Sequence, residues 1–180
     1  MEACELAGNI VQAGALYTTA ADNGHARAQW QLGYAYENGL LGLKIDIEMA
    51  LIWFKKAAGG GNVFSRDAQF RLGKAHEFGE LTLAIDLEAA RTWYQDSAGR
   101  GDLDAQCRLG FAYVYGYLGL KINFDMALMW FKKSAKGCHI ISLWRLGYAY
   151  EDGDLGVVTN FETARTYIIF FEKEDMEPFL

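Results

Sequence analysis

The sequence predicts an all-α chain built as a stack of helical hairpins, and three observations carry that prediction. A Leu-Gly pair recurs at Leu32–Gly33, Leu72–Gly73, Leu109–Gly110 and Leu146–Gly147, at steps of 40, 37 and 37 residues. Four further marks keep the same steps: a turn glycine (Gly39, Gly79, Gly116, Gly153), an Asx residue (Asp46, Asp86, Asn123, Asn160), an alanine (Ala50, Ala90, Ala127, Ala164) and a large aromatic (Trp53, Trp93, Trp130, Tyr167). Within each copy, two stretches carry apolar residues at helical spacing. One helix pair cannot bury its own apolar face, so such units stack on one another.

Composition agrees. The 180 residues are 52% hydrophobic and 22% charged, enough apolar surface for one ordered domain. Glycine is frequent at 20 and proline nearly absent at one, so glycine makes the turns. No apolar run approaches the ~20 residues of a membrane-spanning helix. The net charge of −6 disfavours nucleic-acid binding, and the Lys55–Lys56 and Lys132–Lys133 pairs read as solvated helix faces. Cys4, Cys107 and Cys138 form neither a CxxC pair nor a regular disulfide framework.

In chain order, residues 8–24 read as half a repeat, a lone second helix covering the open end of the stack. Its Ala13, Leu16, Tyr17, Ala20 and Ala21 align with Ala50, Trp53, Phe54, Ala57 and Ala58. Four repeats follow at 25–61, 65–101, 102–138 and 139–172, then an acidic tail at 173–180, the whole forming one domain. The first helix of the first repeat is expected over about 28–36, with Ala28, Leu32, Ala35 and Tyr36 on one face and Gly39 ending it. The second helix opens at Asp46, whose side chain can accept from the free amides of the first turn. Glu48, Glu88, Asp125 and Glu162 follow, where negative charge meets the positive end of the helix dipole. Ala50, Trp53, Phe54 and Ala57 then form the apolar stripe. The three extra residues of the first step are expected to lengthen the connection around Gly59-Gly60-Gly61-Asn62-Val63-Phe64.

Between the helices, Leu41, Leu43 and Ile45 alternate with other residues, as do Leu81, Leu83, Ile85 and Leu118, Leu120, Ile122. Alternation suggests an extended segment with one buried face. A short strand competes with an ordered loop; the shortness of the segment favours the loop.

The pattern of alanine, Leu-Gly, Tyr, Gly, Asx, Ala, Trp and Ala-Ala over about 37 residues resembles the Sel-one-like repeat family, a relative of the tetratricopeptide repeats. The likeness covers about residues 8–172. The fourth copy departs from it, with Tyr167 for Trp and Ile168-Ile169-Phe170-Phe171 for the Phe-Lys-Lys-Ala ending. The resemblance implies a right-handed superhelical solenoid whose first helices line a concave groove, and a non-enzymatic, protein-binding role.

Positions two before and two after each Leu of Leu-Gly are expected to face away from the packed seam: Trp30 and Tyr34, Phe70 and Lys74, Cys107 and Phe111, Trp144 and Tyr148. Next along the groove come Glu37, Glu77, Val114 and Glu151, then Asn38, Phe78, Tyr115 and Asp152. Aromatic residues offer large rigid area at low entropy cost. The expected surface is therefore Trp30, Tyr34, Glu37, Phe70, Lys74, Glu77, Phe78, Phe111, Tyr115, Trp144, Tyr148 and Glu151. It suits a partner segment with apolar anchors and basic residues. The apolar Ile168-Ile169-Phe170-Phe171 run is a second candidate surface, covered either by the tail with Phe179 and Leu180 or by a second copy.

No catalytic, metal or cofactor motif appears. His25, His76 and His139 lie about a repeat or more apart, and the glycine run at 59–61 lacks the Lys-Ser/Thr of a phosphate loop. Glu37, Glu77 and Glu151 recur once per repeat, the mark of a repeat face. A cysteine-rich secreted branch of the family has penicillin-binding or β-lactamase activity. Cys4, Cys107 and Cys138 do not reproduce its paired cysteines, so a hydrolase is the weakest reading. The primary expectation is an adaptor or scaffold that is not an enzyme. The alternative is an immunity protein that neutralises a toxin enzyme. Met1-Glu2-Ala3-Cys4-Glu5 lacks a basic start and apolar run, which points to the cytoplasm, or to the periplasm if a leader precedes Met1.

Overall fold

The computed structural model describes the backbone of residues 2–176 and the side chains of residues 9–169. The described residues form helices and turns, without a strand. They divide into two compact units, Met1–Arg100 and Gly101–Leu180. The first unit holds α1 (Glu2–Asp22), α2 (Ala26–Asn38), α3 (Ile47–Ala58), α4 (Val63–Phe78) and α5 (Leu87–Gly99). The second holds α6 (Leu103–Tyr115), α7 (Phe124–Lys136), α8 (Ile140–Asp152) and α9 (Phe161–Met176). In each unit, a first helix packs antiparallel on the second helix of its own repeat, as α2 on α3, α4 on α5, α6 on α7 and α8 on α9.

The second helices start where a capping side chain is available. Asp46 accepts from Met49 N at 3.0 Å, Asp86 from Ala89 N at 2.9 Å, Asn123 from Met126 N at 3.0 Å and Asn160 from Thr163 N at 3.0 Å. Each such cap contributes about 1 kcal/mol. The first helices stop at Gly39, Gly79, Gly116 and Gly153, all left-handed at φ between +68° and +74°. The following amide closes the end by bonding back to Ala35, Ala75, Ala112 or Ala149.

The three inserted residues lengthen the connection by only one residue, 59–62 against three-residue connections before α2, α6 and α8. The insertion chiefly extends α4, which has 16 residues against 13 in α2, and Asn62 caps the added turn by accepting from Ser65 N at 3.1 Å. A capped helical turn satisfies backbone groups that a longer loop would leave to water.

The glycine of Leu-Gly is explained by close packing. A Cβ added at Gly33 would lie 2.8 Å from the Phe54 ring, at Gly73 2.8 Å from the Tyr94 ring, and at Gly110 2.7 Å from the Phe131 ring. At Gly147 it would meet Ile168 at 2.9 Å. Each second helix thus seats one large side chain against the bare backbone of its first helix. The leucines beside these glycines, Leu32, Leu72, Leu109 and Leu146, are fully buried. The fourth repeat keeps this arrangement with Ile168 in place of a ring, and Tyr167 stacks on Tyr150 at 6.0 Å. Ile169 is exposed; the side chains of Phe170 and Phe171 and the tail with Phe179 and Leu180 lie outside the described residues, as does that of Cys4.

The alternating apolar connection is a tight turn, and its buried face is only partial. Leu43 N bonds to Leu40 O at 3.0 Å across Leu41 and Gly42, both left-handed, and the same bond spans Leu81–Thr82, Leu118–Gly119 and Leu155–Gly156. Two successive positive φ values define a type I′ turn. The strained leucine is held by burial: Leu81, Leu118 and Leu155 sit in the cores. The isoleucines Ile45, Ile85 and Ile122 are exposed instead, because the chain leaves the turn toward the N-cap of the next helix.

Thr82 stands where the other copies have glycine, at φ +61°. A β-branched residue there carries strain of about 1–2 kcal/mol, and glycine returns about 0.5–1 kcal/mol through unfolded-chain entropy. Thr82→Gly is therefore expected to stabilise the protein by about 0.5–1 kcal/mol in urea unfolding. A loss of stability would contradict the strain argument.

Candidate functional site

The outward residues of the first helices form aromatic pairs four residues apart, one turn above another. In the first unit, the rings of Trp30 and Tyr34 stack at 5.6 Å with an interplanar angle of 2°. In the second, Phe111 and Tyr115 stack at 6.2 Å and 4°, and Trp144 and Tyr148 meet at 4.7 Å and 56°. One member of each pair is open to solvent: Tyr34 is 43% exposed, Tyr115 54% and Tyr148 45%, and Trp144 is exposed as well. Trp30 and Phe111 are half-buried, with Phe111 set edge-on to Phe131 at 5.0 Å. The third repeat's pair lies one turn further along its helix, with Cys107 at the Trp30 and Trp144 position, and the second repeat has no such pair. Phe70 is half-buried and leans on Tyr94 at 5.6 Å, Lys74 is half-buried, and Phe78 is exposed.

The carboxylates fall into three situations. Glu37 is paired with the Arg71 guanidinium, reaching back from α4. Glu77 is buried, and its carboxylate accepts from the Tyr94 hydroxyl at 2.8 Å. That phenol is held above its usual pKa by burial, reinforced by the charge of Glu80. Glu151 is exposed, as is Asp152 beside it. Cys107 and Val114 are buried in the second unit's core rather than facing outward. The helical pitch places those two positions at the edge of the seam, where the neighbouring helix closes over them.

Sequence reasoning missed the arginine just before the second, third and fourth Leu-Gly. Arg71 pairs with Glu80 at 2.6 Å as well as with Glu37, and Arg145 pairs with Asp154 at 2.6 Å. Arg108 lies over the Tyr117 ring at 5.5 Å. In each case the partner comes nine residues later, in the turn. The signal was present: an arginine in copies two to four, each with a carboxylate or aromatic ring at that offset. Arg145 holds the Asp154 carboxyl below the usual range, helped by the Leu155 amide.

His139 binds two elements of the second unit. It precedes α8; its Nε2 lies 3.1 Å from Asp104 on α6, and its Nδ1 3.1 Å from Ser142 Oγ. Ser142 N donates to the same Nδ1 at a long 3.4 Å, so the ring both caps α8 and faces the Asp104 carboxylate. The hydrogen bond to Asp104, then that to Cys107, raise its pKa from 6.5 to about 9 against the opposing effect of burial. A raised folded-state pKa stabilises fully below the unfolded value near 6.5 and is lost as pH rises through about 9. Asp104 is largely exposed, and solvent screens the pair, so the expected loss is about 1 kcal/mol between pH 6 and 9.5. Urea unfolding of the wild type and Asp104→Asn across that range checks this. Parallel pH profiles would contradict it.

Among the described residues, no group of three His, Cys, Asp or Glu side chains is placed to hold a metal ion, and no helix is long and apolar enough to cross a membrane. Cys107 and Cys138 are free thiols, one buried and one exposed.

The family model described as Sel1 repeat matches residues 6–25, 26–62, 66–102, 103–137 and 140–168. The chain belongs to the Sel1 repeat family. Solved structures agree with that membership. The Sel1 chain is similar to c5321 of uropathogenic Escherichia coli, a protective antigen with an SLR fold, at 29% identity and a TM-score of 0.80. That likeness covers 91% of this chain and 34% of the other, so the Sel1 chain spans about a third of that structure's length. It is similar at 30% identity and a TM-score of 0.76 to a Sel1 repeat protein from Oxalobacter formigenes, covering 89% of this chain and 62% of that one. The immunity protein Pa5087 from Pseudomonas aeruginosa shares the fold at 17% identity and a TM-score of 0.51, over 95% of this chain and 76% of the other. A search of curated protein sequences finds no match.

Proposed function

We propose that this Sel1 chain is a protein-binding module whose outward first-helix faces take a segment of another polypeptide. The observation that carries the reading is the recurrence of partly exposed aromatic pairs on the first helices, Trp30–Tyr34 and Trp144–Tyr148 at one repeat position and Phe111–Tyr115 one turn further along its helix. The exposed rings of these pairs cost solubility, whereas they supply anchors for a partner's apolar side chains. Membership of a family of repeat scaffolds supports the same reading. Glu151 and Asp152 beside Tyr148 favour a partner with a basic residue next to its apolar anchor. Glu37 and Glu77 do not add to that edge, since Arg71 and Tyr94 already occupy them.

A photo-crosslinking amino acid placed at Tyr34, Tyr115 or Tyr148 in cells tests the proposal. Controls go at Gln95 and Lys132, exposed positions on the second helices. Discrete polypeptide adducts from the first-helix positions and none from the controls are expected. Adducts from the controls alone would overturn it.

A second reading keeps the surface and changes the consequence. Pa5087, whose fold this chain shares, is an immunity protein, and the same aromatic face could seat on an enzyme and block it. Co-expression with the captured partner separates the two: suppression of the partner's activity marks an inhibitor, and a stable complex with activity intact marks a scaffold.

A further inference from the structure

The fourth repeat departs from the earlier copies at positions that converge on one cavity. It lies in the second unit, between α7 and α9 with α8 beneath, and measures about 470 Å³. On α9, Tyr167 stands where every earlier copy has tryptophan, and Thr163 and Thr166 stand where the third copy has Met126 and Met129. Smaller side chains leave the space, so the cavity comes from this copy's own residues and not from an end of the chain. On α8, Leu143 replaces the glutamine of the earlier copies. Gln29 and Gln69 each donate to a carbonyl of the preceding second helix, Ala21 O or Ala58 O, at 3.1 Å. Leu143 instead gives the cavity an apolar floor, with Ala135 beside it. On α7, Lys136 replaces Gly59 and Gly99, and Lys132 lies one turn before it. Among the described residues that line the cavity, none is a carboxylate.

We infer that this cavity binds a small amphiphilic anion, its apolar body seated on Leu143 and Ala135 and its acidic group held by Lys132 and Lys136. Two ammoniums four residues apart share one helix face, so both reach a single group. Lys132 Nζ is already held over the Tyr150 ring at 5.8 Å, and that ring stacks on Tyr167 in the cavity wall. Thr166 commits its hydroxyl proton to Glu162 O at 2.9 Å, which leaves the ammoniums as the charged donors. Volume decides against a partner's helix. One helical turn with its side chains fills roughly 400–600 Å³, so the cavity holds about a single turn. It falls instead among small-ligand pockets, which run from about 300 to 1,000 Å³ and combine apolar walls with a few polar groups. The inference is independent of the aromatic pairs on the first helices.

The test uses anilinonaphthalene sulfonate as the probe anion and phenylnaphthylamine, the same rings without the sulfonate, as its neutral counterpart. The full chain is expected to bind the anion saturably and at least about tenfold more tightly than the neutral dye. Refilling the cavity with Thr163→Met, Thr166→Met and Tyr167→Trp together, and separately Lys136→Glu, are each expected to weaken the anion at least about tenfold. Lys136 is exposed, so that variant keeps its fold and its circular dichroism spectrum even if the refilled one does not. The position of the bound probe is read at Cys138, an exposed thiol in the cavity wall. Its alkylation by iodoacetamide, followed by mass spectrometry, is expected to slow on addition of the anion, while buried Cys107 stays unreactive. Absence of saturable binding, equal affinity for the neutral dye, or Cys138 alkylation unchanged by the anion would overturn the proposal. So would a Cys138 thiol as unreactive as Cys107 before any anion is added, since another segment of the protein would then fill the cavity.

Discussion

Gly110→Leu is expected to destabilise the protein by about 3 kcal/mol and Phe131→Ala by about 3–5 kcal/mol, while the double variant costs clearly less than their sum. A Cβ at position 110 already lies 2.7 Å from the Phe131 ring, and that ring is completely buried with no outward path. The added leucine must therefore displace the ring, bend α6 away from α7, or both. Truncating Phe131 alone leaves a cavity against Leu146, Ala149 and Leu143. In the double variant the new leucine occupies part of that cavity, so the two changes couple by about 1.5 kcal/mol or more. Urea unfolding of all four proteins closes the cycle. Additive costs would mean that ring and glycine are not partners, and the explanation of the Leu-Gly signature would fail with them.

Trp144→Ala with Tyr148→Ala is expected to weaken binding of a captured partner about 100-fold or more, with stability changed by less than about 1 kcal/mol. Both side chains are exposed, neither belongs to the second unit's core, and their rings meet at 4.7 Å. Removing them therefore spares the core while deleting two candidate hot spots of about 2 kcal/mol each. Phe111→Ala is a poorer probe, because that ring also packs edge-on against Phe131 and its loss would mix stability with affinity. Calorimetric titration with the isolated partner reads the affinity, and urea unfolding reads the stability. Unchanged affinity in a folded double variant would show that the partner binds elsewhere.

The hairpin stack was legible because its strongest signals are local. Glycine at a left-handed helix end and Asx at a helix start act within one turn of chain, and periodicity exposes them once four copies are aligned. The connection was harder to read. Leu41, Leu81, Leu118 and Leu155 adopt a backbone conformation that leucine usually avoids, and burial of the last three in the folded cores makes it tolerable there. Propensity alone therefore favours an extended segment there. The outward face was legible in its aromatic residues and poorly legible in its charges. Glu37 and Glu77 look like rim carboxylates by spacing, yet Arg71 reaches Glu37 from the next helix pair and Tyr94 reaches Glu77 from the second helix of its own pair. Such contacts depend on how neighbouring helices approach, which no single-helix periodicity encodes. The insertion before the second repeat was also misleading, since Asn62 turned loop length into helix length.

Hydroxyl-radical footprinting of the complex with the captured partner tests the binding account most directly, because it reports side-chain exposure at every aromatic residue at once. Protection is expected at Tyr34, Tyr115, Trp144 or Tyr148, with Ile52, Leu87 and Phe124 on the second helices reacting as in the free protein. Protection confined to those second-helix residues, with the first-helix aromatics still fully reactive, would contradict it.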